Sequence, residues 1–166
     1  MLLYLVRHGI AVDREDPKCP AEAERYLTEE GIKKTRQVAR GVASIIEKPD
    51  LLLSSPYVRA MQTALLFAAA LKYPKQKIRK SNLLLPGSDV AAFFRELARD
   101  KNVESVMCFG HAPHLDEVAA MILGSKHDAT SMKKAGAACF ELRRVASPSG
   151  TLVWLATPKL LKKLKN

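Results

Sequence analysis

Apolar and polar positions fall in blocks along the chain, and each block carries a period. Residues 1–7 open with an unbroken apolar run, Leu2 to Val6, as expected of a strand covered on both faces. "DREDPKCPAEAERY" (13–26) is polar, holds two prolines and reads as an excursion or loop. Thr28 then offers an N-cap, with Glu29 and Glu30 in the first turn. Ile32, Val38, Ala39, Val42, Ile45 and Ile46 continue as a helical stripe to about residue 47. "DLLLSS" (50–55), bounded by Pro49 and Pro56, predicts a short strand. A helix capped by Ser55, with Pro56 in its first position, should follow, its inner face formed by Tyr57, Met61, Ala64, Leu65, Ala68 and Leu71.

The second half repeats the alternation. "QKIRKSNLLL" (76–85) has room for a strand, and "PGSD" opens a helix running to about Asp100. "VESVMCFG" (103–110) is a strand, and His111 to Pro113 lead into a helix ending near Gly124. "AACFELRR" (137–144) and "TLVWLAT" (151–157) flank the turn signal "SPSG" and predict a hairpin. Strands alternating with helices predict an α/β fold, a three-layer α/β/α sandwich on a mostly parallel sheet. With 166 residues and no composition break, one domain spanning 1–166 is expected.

Composition excludes some functions and invites others. No window approaches the roughly 18 consecutive apolar residues of a membrane span. The N-terminal run carries no basic leader and breaks at Arg7, which predicts a cytoplasmic protein. Cys19, Cys108 and Cys139 have no CxxC spacing, and the latter two sit in strand-like runs as buried thiols. His111 and His114 lie three apart without a second cluster, so neither a metal site nor a cofactor is expected. The net charge of +10 attracts anions, but the ten aromatic residues are not interleaved with the basic ones as in a base-stacking groove. The tail "PKLLKKLKN" (158–166) is too short for an independent membrane helix and is expected to pack on the domain with its lysines in water.

The candidate chemistry sits at strand ends. Arg7, His8 and Gly9 follow the first strand, Arg59 falls in the first turn of the helix after the second, and His111 ends the 103–110 strand. Ligand crevices in open α/β sheets form at the carboxyl ends of strands. A neutral imidazole can attack phosphorus to form a phosphohistidine, and two guanidiniums can neutralise the phosphoryl oxygens and hold the imidazole unprotonated. His111 can donate to a phosphoryl oxygen, and Gly9 permits close backbone approach. Gln62 and Thr63 share a face with Arg59, and with Ser54 and Ser55 are placed to support the pocket. His114 has two readings, pocket rim or helix surface, and His127 reads as a surface loop.

"LVRHG" (5–9), "RYLTEEG" (25–31), "SSPYVRAMQTA" (54–64) and "FGHAPHLDEVA" (109–119), in that order, resemble the histidine phosphatase superfamily with the phosphoglycerate mutase-like fold. The short length and the "RxLTxxG" and "GHxPxLxE" strings look most like the small phosphohistidine phosphatases of SixA type. The resemblance implies His8 as nucleophile, Arg7 and Arg59 as phosphate ligands, and His111 completing the pocket. It implies a phosphorylated protein or a small phosphorylated metabolite as substrate, and the composition argues against nucleic acid and membrane as partners. Many members carry a carboxylate general acid where this chain reads "KSNLLLPGSDV", with Asn82 in place of the frequent Glu. Asp89 reads as a helix cap, and Asp13 and Glu15 are the alternative acids. A small-molecule phosphomonoesterase and a non-catalytic phosphate-binding module are the competing readings.

Overall fold

The computed structural model describes residues 1–164. Its six strands form one sheet in the order β3-β2-β4-β1-β5-β6. β1 (Leu2–Arg7), β2 (Leu51–Ser54), β3 (Arg79–Lys80) and β4 (Ser105–Gly110) run parallel, while β5 (Ala137–Arg144) and β6 (Ser149–Ala156) form the antiparallel hairpin on β1. The period-2 alternation of each strand sorts its side chains between two cores. Leu3, Leu5, Leu53, Val106 and Phe140 pack against α3 (Val90–Leu97) and α4 (His114–Leu123). Tyr4, Val6, Leu52, Met107 and Phe109 pack against α1 (Glu29–Ala43), α2 (Val58–Ala70) and α5 (Pro158–Leu161). This is the three-layer α/β/α sandwich that the alternation of elements predicts.

Several boundaries shift for identifiable reasons. The Thr28 hydroxyl accepts from the Gly31 amide at 3.0 Å, as a cap should, but α1 ends at Ala43, with Ile45 exposed and Ile46 half-buried beyond its end. α2 begins at Val58 without a side-chain cap, because the Ser55 hydroxyl is engaged elsewhere. Its buried face is Arg59, Ala60, Thr63, Ala64, Phe67 and Ala68, whereas Leu65 is exposed and Met61 half-buried. The helix is apolar on most of its circumference, so periodicity did not single out the face. The strand expected in 76–85 shrinks to Arg79–Lys80 beside two 3-10 turns, Lys75–Lys77 and Asn82–Leu84. Asp89 caps α3, accepting from the Ala92 amide at 3.1 Å, and α4 ends at Gly124 in the left-handed region (φ 66°).

The tail folds back onto the domain. Leu161 is fully buried and Leu164 packs on the same core, while Leu160 points to solvent. Gly41 makes this docking possible, since any β-carbon there would collide with the Leu161 carbonyl. The last two residues of the predicted basic tail, 165–166, lie outside the described residues.

Candidate active site

Strand register does most of the assembly. Arg7 pairs with Gly110 and Ser54 with Phe109, so β1, β2 and β4 end level with one another. The next residues continue the ladder: the His8 amide donates to the Gly110 carbonyl at 3.0 Å and the Ser55 amide to the Phe109 carbonyl at 2.9 Å. His8 and His111 are thereby brought side by side, ring centroids 5.1 Å apart. Arg59, on the first turn of α2, is 2% exposed and points its Nε–H at His8 Nε2, 3.3 Å away. The cleft above them has a volume of about 550 Å³, and its walls include Arg7, His8, Arg59 and His111 together with Asp13 and Glu15.

The backbone selects the imidazole tautomer. His8 Nδ1 lies 2.7 Å from the Gly9 carbonyl, which only accepts, so Nδ1 carries the proton and Nε2 is the unprotonated nitrogen, its lone pair accepting from the Arg59 Nε–H. Gly9 itself does not line the cleft. Its amide donates to Thr63 Oγ1 at 3.1 Å, and a β-carbon there would strike Thr35. The close approach that requires glycine here is to α1, through Thr35 and Gly31. Thr63 in turn donates to the Arg59 carbonyl at 2.8 Å, and Gln62 accepts from the Leu27 amide at 2.7 Å, so both tie α2 to the loops around the cleft.

His111 is held differently. Its Nε2 is 2.8 Å from Ser55 Oγ, a hydroxyl that also accepts from the Tyr57 amide at 3.3 Å and whose proton has no other acceptor than the ring among the described residues. Nδ1–H is then a buried donor without a partner among the described residues. Ser54, fully buried, donates to the Ser55 carbonyl at 2.9 Å. The Tyr57 ring meets His111 edge-on at 5.2 Å and lies under the Arg59 guanidinium, 4.9 Å from its centroid.

Glu22 is the residue that sequence reasoning missed. It sits in the polar excursion, where its carboxylate accepts from Arg59 Nη2 at 2.7 Å and its carbonyl from Nη1 at 2.7 Å. Arg14 and Arg25 bond the same carboxylate. Burial alone would raise the Glu22 pKa, but the hydrogen bonds from Arg14 and Arg25 and the charges of Arg59 and Arg25 outweigh it and hold it at about 2. Arg59 keeps one free N–H on each terminal nitrogen. Arg7 is braced by a bond from Nη1 to the Met132 carbonyl (2.7 Å), and Asp116 fixes that loop by accepting from Thr130 Oγ1 (2.6 Å) and the Met132 amide (3.0 Å).

Other candidates lie elsewhere. Asn82 is exposed on its 3-10 turn and absent from the cleft wall, where its segment contributes Pro86. Asp89 is likewise committed to its cap. His114 is neither on the rim nor on the surface. It is fully buried and donates from Nε2 to the Leu83 carbonyl at 2.9 Å, joining α4 to that turn. His127 is exposed, and Cys108 and Cys139 are buried thiols.

Burial is the largest influence on the histidines. It pushes His8 from 6.5 to about 4, opposed by the Gly9 carbonyl and reinforced by Arg59, Arg7 and Lys134. The arginines expected to hold His8 neutral are thus a secondary cause. Burial takes His111 to about 3, helped by the charges of His8 and Arg59, and it also lowers His114. Between pH 6.5 and 4.5 an unfolded chain binds protons at these positions that the folded chain refuses, so stability falls with pH. The expected loss is roughly 1.4 kcal/mol per pH unit for each fully linked histidine. Glu22 contributes stability that is lost only as pH falls from the ordinary carboxylate value towards about 2, outside that window. Thermal melts from pH 7.5 to 4.5 check this, and a level Tm would contradict it.

An α/β/α sandwich with two histidines and two arginines meeting at the carboxyl ends of its parallel strands has the phosphoglycerate mutase-like architecture. The profile of the histidine phosphatase superfamily (branch 1) matches residues 3–82, and the chain belongs to that superfamily. An uncharacterized protein of Picosynechococcus is 34% identical over 139 residues, 82% of each chain. The protein histidine phosphatase SixA, solved with tungstate, superposes with a TM-score of 0.85 at 24% identity, covering 97% of this chain and 99% of that one. A mycobacterial glucosyl-3-phosphoglycerate phosphatase, solved with VO3, superposes at 0.70 with 18% identity, covering 94% and 99%. Among the described residues no helix is long and apolar enough to cross a membrane.

Proposed function

We propose that the protein is a metal-independent phosphohistidine phosphatase acting through a covalent intermediate on His8. Nε2 of His8 attacks phosphorus, the substrate P–N bond breaks, and a neutral histidine leaves with the bonding pair. Arg7 and Arg59 supply the positive charge for the phosphoryl oxygens, and His111 donates through Nδ1–H. Water then attacks the phosphorus of phospho-His8, the new P–N bond breaks with its pair returning to Nε2, and phosphate and a proton are released.

The observation that carries this reading is the state of the carboxylates around the cleft. Glu22, the one bonded to Arg59, is ionised and shared by three arginines, so it has no proton to give near neutrality. The 82–89 segment contributes Pro86 in place of an acid. Asp13 accepts from the Glu15 amide at 3.1 Å, and neither it nor Glu15, both in the cleft wall, bonds to His8, Arg59 or His111 among the described residues. A leaving alkoxide, close to the ~15.7 pKa of water, requires a proton in the transition state. Phosphohistidine protonated on its second nitrogen expels imidazole, whose conjugate acid has pKa ~6.5. The purified protein is therefore expected to favour phosphohistidine over phosphoserine or glycerol phosphate by about 10²–10⁴ in kcat/KM, the span a general acid supplies. Comparable turnover of the two classes would overturn it.

A second reading is favoured by the cleft volume of about 550 Å³, within the range of small-molecule sites. In that reading a phosphorylated metabolite is the substrate, and a panel of sugar phosphates and nucleotides separates the two.

A further inference from the structure

The catalytic cleft shares a wall with a second hollow. Arg7 and Lys134 line both. The second hollow, about 690 Å³, is ringed by Arg7, Lys34, Lys133, Lys134, Lys159 and Lys162, and no Asp or Glu contributes to its lining. Its floor is apolar, formed by side chains such as Ile10, Ala135 and Pro158. Lys34 is paired with Glu30, whereas Lys133, Lys134 and Lys159 are exposed and form no ion pair among the described residues. Two of these cations come from the C-terminal segment. Burial of Leu161 against α1, over the bare backbone of Gly41, places Lys159 and Lys162 beside the active site.

We infer that this lysine-ringed hollow is a docking surface for the acidic protein surface that surrounds the phosphohistidine presented to His8. The inference rests on the phosphohistidine reading above and names the kind of protein that the site accepts. Its composition favours a protein over a small polyanion. Lysines on long, unpaired stems act as diffuse point charges, which steer and orient a complementary surface, whereas a fixed anion subsite calls for forked guanidiniums or converging amides. The apolar floor gives the stems and methylenes of a partner's side chains a dry seat between the charges. The hollow shares Arg7 and Lys134 with the cleft, so a partner seated there lies next to His8.

The test uses three substrates: a synthetic phosphohistidine peptide flanked by aspartates, the same peptide with asparagines in their place, and phosphoramidate. At low salt the aspartate peptide is expected to exceed the asparagine peptide about tenfold in kcat/KM, chiefly through KM. The advantage should vanish in 0.5 M salt and in the Lys159→Glu/Lys162→Glu variant, with phosphoramidate turnover unchanged. Lys133→Glu, which lines the same hollow but is not part of the tail, should halve the advantage or better, which guards against a tail that merely detaches. Equal turnover of the two peptides, or an advantage that survives both sets of charge reversals, overturns the inference. Binding of the unphosphorylated aspartate peptide, followed by fluorescence anisotropy, separates the two levels of argument. Binding lost on charge reversal keeps the surface even where no phosphohistidine is hydrolysed, and that failure then belongs to the catalytic reading. Tighter binding of an oligonucleotide of equal charge than of the peptide overturns the assignment to a protein.

Discussion

His8→Ala is expected to abolish the phosphoenzyme and lower turnover by about 10⁴–10⁶, the scale on which removal of a nucleophile acts. No other histidine in the cleft can replace it. His111 is turned by Ser55 so that its free position carries a proton, and His114 is sealed under the Leu83 carbonyl. The variant should fold, because among the described residues the His8 side chain makes only the Gly9 and Arg59 hydrogen bonds, and it sits at the edge of the cleft rather than in either core. It should also still bind tungstate or vanadate, since Arg7, Arg59 and the His111 donor remain. The measurement is rapid quenching with labelled substrate. An acid-labile adduct in the parent chain and none in the variant is the expected result. Turnover without an adduct would move the nucleophile elsewhere, and neither turnover nor adduct in the parent chain would favour a phosphate-binding module.

The same residues show what a sequence can and cannot carry. His8, Arg59 and His111 were legible because each sits next to an element with a strong periodic signature, and parallel register converts "just after the strand" into "side by side". β1 and β4 are apolar without interruption and end at Arg7 and Gly110, so register alone brings His8 and His111 together. The inner face of α2 was not legible. Arg59 and Thr63 are buried by contacts with Glu22, His8 and Gly9, so polar side chains occupy a face that a hydrophobicity pattern assigns to apolar ones. Glu22 had no signal, one acid among several in an aperiodic loop, and the convergence of three arginines on it exists only in three dimensions. Ser55 resembled a helix cap because serine before proline usually is one. Here its hydroxyl orients His111, and the helix starts later.

Arg59→Ala is expected to lower kcat by about 10²–10³ with a smaller rise in KM, the usual effect of removing one preorganised donor from a developing anion. Arg59→Lys should recover little of it. The guanidinium performs four tasks at once: Nε–H orients the His8 lone pair, Nη1 satisfies the Glu22 carbonyl, Nη2 pairs with its carboxylate, and the plane stacks on Tyr57. A lysine ammonium offers the same charge from one nitrogen and can meet one or two of these partners. The cost in stability should be modest for either change. Glu22 keeps Arg14 and Arg25, and its carboxylate is partly open to water, so the main loss is the hydrogen bond to its part-buried carbonyl, about 1 kcal/mol. Single-turnover kinetics with phosphohistidine, alongside thermal melts, separate the two effects. A lysine variant within tenfold of the parent would mean that charge alone matters at this position and that the fork geometry around Glu22 is dispensable. A loss confined to phosphoenzyme formation, with hydrolysis of phospho-His8 untouched, would mean that Arg59 acts on His8 and not on the phosphoryl group. Slowing of both steps is the expected result, because charge develops on the phosphoryl oxygens in each and the guanidinium is the group assigned to offset it.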